Sequence, residues 1–286
     1  MALEELKSGA GKSADLYDLL KIPGERGVVC SLAEVRKGPT LGRQEGTFGE
    51  NLNILCTFSP GEPVVILKEE GDFFLVCGAF YRGWILKTRI NRVTAAQFEN
   101  FRKPFLWAVV TEPLVTAENR QFDMGTVLPF LFEEGNFSLL HLPDQGVRLP
   151  TASLHIGFVP YERRALLSLA RKYIGVPYGW GNAGGGVDCS GLIQRVFRCF
   201  GVFLPRNVAA QRRLPGVNYL PLSGENARKP EELSAPALLF AKGHVLLLTE
   251  GGEHPTVLHA PHTGSFVLEE PLTEERRATL LSAVEL

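Results

Sequence analysis

Short apolar runs broken by turn residues fill the chain between about residues 26 and 158. They are rich in Val, Ile, Leu and Phe and are separated by Gly, Pro, Asn or Asp, a pattern typical of short antiparallel strands. The runs from about 26 to 95 predict a small β-barrel, and a weaker copy runs from about 105 to 158. Both copies share one order of residue types, GEPVVILKEEGDFFLV in the first and MGTVLPFLFEEGNFSLL in the second. This correspondence indicates a duplicated module.

Helical periodicity begins after residue 160. The segment YERRALLSLARKYIG has apolar residues at helical spacing and ends at a glycine. A Gly-rich loop, YGWGNAGGGVDCSG, leads into a second amphipathic helix, and strands follow beyond about residue 236. This order predicts an α+β domain. At the other end of the chain, residues 14–22 predict a short amphipathic helix that ends at Pro23.

The charge balance and the cysteines limit the partners and the compartment. Thirty basic residues face 31 acidic ones, which argues against a protein that grips nucleic acid or an anionic membrane through its overall field. No apolar run approaches the ~18–20 residues of a membrane helix, and the N-terminus lacks the pattern of a signal peptide. Five cysteines without a C-x-x-C pair predict free thiols in a reducing compartment. We therefore expect a cytoplasmic protein, or an exported one if a signal was removed.

Cys189 stands apart from the other cysteines because it lies where the Gly-rich loop meets the second helix. The free amides and the positive end of a helix stabilise a thiolate, so we expect a lowered thiol pKa and a reactive nucleophile. The same amides can stabilise an oxyanion. Asp188 is a suitable N-cap, and Gly184, Gly185 and Gly186 predict an open approach to the sulfur.

Two of the six histidines suit a thiolate nucleophile, which needs a base that is itself oriented by an acceptor. His244 starts an apolar strand, and His259 lies in the next strand, where side chains on one face would be about 5 Å apart. The pattern predicts a Cys189–His244–His259 set. We expect structural or solvated roles for the others: His141, His155, His254 and, as a bystander, His262.

These motifs resemble the NlpC/P60 family of cell-wall cysteine peptidases over about residues 161–270. The resemblance rests on Tyr-Gly-Trp-Gly at 178–181, Asp-Cys-Ser-Gly at 188–191, Leu-Pro-Arg at 204–206, Gln211 and the two histidine strands. It implies a papain-like core with Cys189 as nucleophile, His244 as general base and His259 as the orienting residue. It also implies that Tyr178 lies beside the cysteine, that Ser190 lines the substrate pocket, and that no metal or organic cofactor is needed.

The first barrel resembles bacterial SH3-type domains through Gly61-Glu62, Gly71-Asp72 and Gly83-Trp84-Ile85, with another small β-barrel as the alternative. The expected organisation is a helical segment at 1–25, barrels at 26–100 and 101–160, and a peptidase domain at 161–286. With two barrels before the peptidase, the chain resembles the subgroup of the family that cuts γ-D-glutamyl-diaminopimelate bonds in peptides with a free N-terminal L-alanine. A monomer acting on such peptides is expected.

One residue departs from that subgroup, which usually has an aspartate where this chain has Asn207. The aspartate pairs with the substrate amine, and by family position we expect Glu62 to supply the missing charge beside Tyr81. The full predicted set of substrate-binding residues is Tyr178, Asp188, Ser190, Arg206, Asn207, Glu62 and Tyr81. The departure leaves a shifted substrate preference open.

Other interpretations remain at this point. Gly179-x-Gly181-x-x-Gly184 matches a dinucleotide fingerprint, but it follows a helix instead of a strand. Cys189, His244 and His259 are chemically suitable zinc ligands, although they are widely spaced. The protein could also act on intact cell wall as an endopeptidase or amidase, or bind the wall without catalysis, and its diamino acid could be diaminopimelate or lysine.

Overall fold

The computed structural model describes residues 2–12 and 18–286, and it starts with a helix that lies within the helical segment expected at 1–25 but before the helix predicted over 14–22. Helix α1 (Ala2–Gly11) packs Leu6 and Ala10 into the core cluster that is formed mainly by the C-terminal part of the chain. The helix predicted over 14–22 is wrong at residues 18–22, which form turns, while residues 14–17 lie outside the described part. There Asp18 Oδ1 accepts a hydrogen bond from the Leu20 amide at 3.2 Å, an arrangement that competes with helix formation.

The first β-rich unit is a seven-stranded antiparallel sheet in the order β3-β2-β6-β5-β4-β1-β7. Its core consists of alternate side chains such as Val35, Val64, Val76 and Ile85, all fully buried. The strands are β1 (Glu25–Val29), β2 (Ala33–Arg36), β3 (Ile54–Phe58), β4 (Pro63–Glu70), β5 (Phe73–Cys77), β6 (Arg82–Leu86) and β7 (Ile90–Arg92).

A second β-rich unit follows helix α2 (Ala95–Arg102), which is capped by Thr94. Its five-stranded sheet has the order β13-β12-β11-β8-β14, with a separate β9–β10 hairpin. The strands are β8 (Trp107–Val110), β9 (Leu114–Ala117), β10 (Arg120–Asp123), β11 (Val127–Glu134), β12 (Phe137–His141), β13 (Gly146–Pro150) and β14 (Leu154–Ile156).

The repeat seen in the sequence is also a repeat in strand pairing. Strands β11–β14 each start 64 residues after their counterparts in β4–β7, and the five-strand order β6-β5-β4-β1-β7 recurs as β13-β12-β11-β8-β14. Even the register shift recurs, between Ile66 and Lys68 in the first copy and between Phe130 and Phe132 in the second. The first copy differs by a long loop, residues 37–53, between β2 and β3.

The C-terminal part is mixed α/β, as its pattern predicts. A six-stranded antiparallel sheet has the order β15-β20-β16-β17-β18-β19, and helix α4 packs against β17 and α3. The helices are α3 (Arg163–Arg171), α4 (Cys189–Arg198), α5 (Val208–Gln211) and α6 (Glu274–Arg277). The strands are β15 (Leu220–Pro221), β16 (Ala237–Ala241), β17 (His244–Glu250), β18 (Thr256–His259), β19 (Leu268–Pro271) and β20 (Leu280–Glu285).

Helix α4 touches both β-rich units through buried ion pairs. Arg195 bonds Asp123 of the second unit at 2.6 Å, and Ser59 of the first unit donates to the same carboxylate at 2.6 Å. One turn further along, Arg198 bonds Glu62 of the first unit at 2.7 Å. A buried charge that loses its partner is costly, so these pairs hold α4 in one position against both units. None of the helices in the described residues is long and apolar enough to cross a membrane.

Candidate active site

Cys189 is the first residue of α4, and Asp188 caps that helix as the sequence predicts. The Asp188 backbone is extended, and its Oδ1 accepts from the Gly191 amide at 2.8 Å. A Cβ on Gly191 would lie 1.9 Å from Asn182 Oδ1, so only glycine fits at this position. Asn182 in turn accepts from the Asp188 amide at 3.1 Å. Sequence reasoning missed Asn182, which orders the chain just before the cysteine.

The Cys189 thiol is buried, which corrects the expectation of an exposed thiolate with an open approach. The side chain is only 7% exposed, and Sγ lies 4.0 Å from the carbonyl oxygen of Gly243 in the β16–β17 turn. Burial, followed by the charge of Asp188, raises the pKa of Cys189 to about 12, although the Val245 and Ser190 amides act in the opposite direction. The free protein therefore holds a neutral thiol.

Three side chains from neighbouring strands form a hydrogen-bonded chain. His244 starts β17 directly after Gly243, His259 ends β18, and Glu270 lies in β19. His244 Nε2 and His259 Nδ1 are 2.9 Å apart, and His259 Nε2 is 3.0 Å from Glu270 Oε1. The structure thus brings His244 and His259 together as their strand positions predict. The structure adds Glu270, which was not predicted. In the sequence it is one of two adjacent glutamates, Glu269 and Glu270, and nothing there shows which of them meets a histidine.

Both rings are neutral near pH 7. Burial, followed by the charges of His259 and Arg276, lowers the pKa of His244 to about 3. Burial also lowers the pKa of His259, which is fully buried, although its hydrogen bond to Glu270 opposes that shift. A neutral imidazole beside a neutral thiol is suited to general-base activation of the sulfur.

Beneath the cysteine, three predicted substrate-binding residues bond to one another. Arg206 forms a two-pronged ion pair with Asp188, and its Nη1 also donates to Ser190 Oγ at 2.9 Å. Asp188 accepts further from the Gly181 amide at 3.0 Å and from Ser190 Oγ at 3.2 Å. All three side chains are buried. Apart from Arg206 Nε, which has no hydrogen-bond partner among the described residues, their polar groups bond to protein partners, so the three side chains support the start of the cysteine helix. Their contact with substrate stays a prediction.

Tyr178 is close enough to Cys189 for the charge of the thiolate to act on its phenol, and its direct contact with the sulfur stays a prediction. Its side chain is half-buried, and its amide donates to Ser265 at 2.8 Å. Burial, followed by the nearby Asp188 and Cys189 groups and Glu50, raises the pKa of the Tyr178 phenol. The Tyr178 hydroxyl is therefore neutral near pH 7.

The residues predicted around a substrate amine are only partly brought together. Asn207 Nδ2 donates to the Tyr81 hydroxyl at 3.4 Å, so these two meet at the boundary between the first unit and the C-terminal part. Glu62 does not join them, because its buried carboxylate bonds Arg198 and the Ser59 amide. The motif that contains Glu62 is local, and it carries no information on which neighbour its carboxylate meets.

A different acid of the first unit reaches the catalytic part. Glu50 lies in the loop at 37–53, and its Oε1 accepts from Thr263 Oγ1 at 3.2 Å. Its charge also contributes to the raised pKa of Tyr178. Trp180 fastens the same contact by donating from Nε1 to the Ile54 carbonyl at 3.1 Å. Glu50 was missed from the sequence, although the loop is the one large insertion that separates the two copies.

Among the described residues, no group of three or more His, Cys, Asp or Glu side chains is arranged to hold a metal ion. His244 and His259 direct ring nitrogens at each other. The zinc interpretation therefore lacks a donor set in this arrangement. Of the other histidines, His141 stacks on Phe101 and His262 bonds the Thr263 carbonyl at 2.9 Å.

Several known proteins are similar to this chain. Residues 175–281 match the model of the NlpC/P60 family. A γ-D-glutamyl-L-lysine dipeptidyl-peptidase from Bacillus subtilis is 24% identical over 80% of this chain and 81% of its own length. An NlpC/P60 family protein from Bacillus cereus is 18% identical, with a TM-score of 0.70 over 91% of this chain and 99% of its own. An NlpC/P60 endopeptidase from Photobacterium damselae subsp. piscicida is also 18% identical, with a TM-score of 0.72 over 96% of this chain and 77% of its own. The two structures share the fold.

Proposed function

Because residues 175–281 form an NlpC/P60 family domain, we propose that the protein is a cysteine peptidase that cuts peptidoglycan-derived peptides between γ-D-glutamate and a diamino acid. The observation that carries the proposal is the His244–His259 pair, whose ring nitrogens are 2.9 Å apart. His244 directly follows Gly243, and the carbonyl oxygen of Gly243 lies 4.0 Å from the Cys189 sulfur. The name of the Bacillus subtilis relative supports the bond type. It favours lysine as the diamino acid, with diaminopimelate as the other candidate.

Because the thiol and both imidazoles are neutral, we infer that the thiol loses its proton only as it attacks the substrate. His244 takes the thiol proton as Sγ forms a bond to the γ-carbonyl carbon of D-glutamate. Amides in the first turn of α4, where the Ser190 amide already favours the thiolate, stabilise the oxyanion. His244 then gives the proton to the departing amine, and water hydrolyses the acyl-enzyme. Burial of Cys189 makes the charge-separated state costly in the free protein, so substrate contacts at the oxyanion assist ionisation.

We propose that the β-rich units are SH3-like barrels at about 26–100 and 101–160, and that the first of them limits the length of substrate that the site accepts. Tyr81 of the first barrel meets Asn207, and Glu50 reaches Thr263, so the first barrel closes one end of the region around Tyr178. A closed end admits a short peptide with a free N-terminal amine. Glu50, in place of Glu62, supplies the negative charge for that amine.

Three defined substrates test this function: L-Ala-γ-D-Glu-L-Lys, its N-acetylated form and intact peptidoglycan, with the diaminopimelate peptide in parallel. We expect mass spectrometry to show release of the diamino acid from the free peptides and little product from the other two. Equal cleavage of free and acetylated peptides would disprove the closed end, and intact wall would become the substrate. Cleavage of none of them would overturn the peptidase proposal.

The amine site gives a quantitative prediction. Charge-assisted hydrogen bonds exceed neutral ones by about 1–1.5 kcal/mol, so Asn207→Asp should raise the preference for free over acetylated peptide about tenfold. Glu50→Gln should lower that preference by a similar factor. The measurement is the ratio of kcat/KM for the two peptides. Glu45→Gln, an exposed acid in the same loop, is the matched control and should leave the ratio unchanged. An unchanged ratio in Glu50→Gln would remove Glu50 from the site.

A further inference from the structure

Among residues 2–12 and 18–286, Glu270 is the one acid bonded to the histidine pair. The chemistry of its carboxylate decides in which direction the hydrogen bonds from Glu270 through His259 to His244 run. A carboxylate accepts hydrogen bonds and donates none. Across the 3.0 Å contact, His259 Nε2 must therefore carry the proton. A neutral His259 then has a bare Nδ1, which can only accept. His244 Nε2, 2.9 Å away, must be the donor, and this leaves His244 Nδ1 bare.

The consequence reaches the sulfur through two rings. With Nε2 engaged by His259, Nδ1 is the remaining nitrogen of His244 that can take a proton from Cys189. If His259 carried its proton on Nδ1 instead, His244 Nε2 would have to accept, and Nδ1 would bear the hydrogen. His244 could not then act as a base. The His244 tautomer that catalysis needs is therefore set by Glu270, which is separated from the thiol by His244 and His259.

The strand register explains how Glu270 reaches its partner. In the β18–β19 ladder Val257 is opposite Glu270, and His259 is two residues further along β18 on the same face. Glu270 is therefore the diagonal neighbour of His259. The next residue, Glu269, faces the other way and bonds Arg171 of α3.

Arg276 of α6 limits the charge that Glu270 brings. Its Nε lies 3.1 Å from Glu270 Oε1, the same oxygen that His259 approaches, and its Nη2 lies 3.0 Å away. A carboxylate without a cation beside it would favour a protonated, positively charged His259. Both ring nitrogens of that imidazolium donate, so His244 Nε2 would have to accept and the proton of His244 would lie on Nδ1. The guanidinium opposes that outcome, since its charge lowers the pKa of both histidines. The Glu270–Arg276 ion pair thus gives His259 a hydrogen-bond acceptor whose negative charge is partly neutralised.

We propose that Glu270 is a positioning residue that holds His259 in the Nε2–H tautomer and thereby leaves His244 Nδ1 free to receive the Cys189 proton, while Arg276 keeps His259 neutral. The assignment rests on the proposed cysteine-peptidase function. Glu270, Arg276 and His244 also line a cavity of about 450 Å³, so the acid is solvated on its far side.

Two substitutions should move the pH profile in opposite directions. Besides each other, the titratable and charged groups that act on the two histidines are Asp188, His262, Glu270 and Arg276. Glu270→Gln removes the negative charge, which makes protonation of the pair harder. The acidic limb of kcat/KM should then move to lower pH by up to about 1 unit. Arg276→Gln should move it to higher pH. On the plateau, Glu270→Gln should lose about 10- to 100-fold in kcat/KM, by analogy with the cost of changing the outer hydrogen-bond partner of a metal-binding histidine.

The matched control is Glu269→Gln, which removes an acid from the same strand but leaves the histidines untouched. Its kcat/KM and pH profile should match the wild type, and thermal unfolding checks that all three variants fold. Unmoved acidic limbs in Glu270→Gln and Arg276→Gln, or shifts in the same direction, would overturn the proposal. A loss of activity in Glu270→Gln that is explained by unfolding alone would overturn it too.

Ring ¹⁵N NMR separates this proposal from the proposed function. In the wild type, the Nε2 nitrogens of His244 and His259 should be protonated and both Nδ1 nitrogens bare, and Glu270→Ala should mix the two tautomers of His259. If the tautomers behave in this way but no peptide is cleaved, the peptidase function fails and the positioning role stands. If peptides are cleaved and Glu270→Ala leaves the tautomers unchanged, the positioning role fails.

Discussion

Cys189→Ala is expected to abolish peptide hydrolysis, with kcat reduced by at least about 10⁴-fold, because it removes the atom that forms the acyl-enzyme. The fold should survive, because the change deletes only one sulfur atom from a buried side chain. Its cost in unfolding free energy should be about 1 kcal/mol. Cys189→Ser keeps the volume more closely and should be nearly as inactive, because a hydroxyl is a weaker nucleophile than a thiol.

The matched control is Cys199→Ala at the other end of α4. Cys199 is fully buried, and burial likewise raises its pKa to about 12, yet its sulfur faces the Val110 and Arg195 carbonyls. We expect Cys199→Ala to lose stability and keep activity. Product release by the L-Ala-γ-D-Glu-L-Lys assay decides the question. Activity above a few per cent in Cys189→Ala would contradict the nucleophile assignment, and inhibition of the wild type by a chelator would favour a metal site instead.

The sequence predicted those parts of the site that depend on local signals. Asp188 as an N-cap and Cys189 at a helix start follow from residue types next to each other in the chain. His244 and His259 follow from two consecutive strands, whose pairing a short turn almost dictates. In each case the physical cause lies within about 15 residues, where turn chemistry and periodicity are reliable guides.

The residues that sequence reasoning missed depend on contacts between distant segments. Glu270 becomes significant only through the register of β19 on β18, and Glu50 only through the way the first unit meets the Thr263 loop. Glu62 shows the reverse error. Its motif is clear, but its carboxylate turns toward Arg198, 136 residues away. Burial of the Cys189 thiol has the same origin, because the Gly243 turn that covers it comes from another part of the chain.

The support beneath the cysteine gives the second large effect. Arg206→Met should lower the free energy of unfolding by about 3–5 kcal/mol, because it leaves the Asp188 carboxylate buried without its cation. Activity should fall with it, since Asp188 caps the helix that presents Cys189. Urea unfolding and kcat/KM measure the two effects. Arg213→Met, at an exposed position nearby, is the control and should change stability by less than about 0.5 kcal/mol.

The double variant Asp188→Asn/Arg206→Met separates an unpaired charge from a general loss of packing. Asparagine is as good an N-cap as aspartate, so the acceptor for the Gly191 amide stays while the charge disappears. If the cost of Arg206→Met is the stranded carboxylate, the double variant should be more stable than the single one, a non-additive result. The pH dependence has a definite sign as well. The pKa of Asp188 is lowered against its burial, mainly by the charge of Arg206, so the wild type holds this stability above the ordinary carboxyl pKa and loses it in acid. A double variant no more stable than Arg206→Met would show that the guanidinium supports the site through packing and not through its charge.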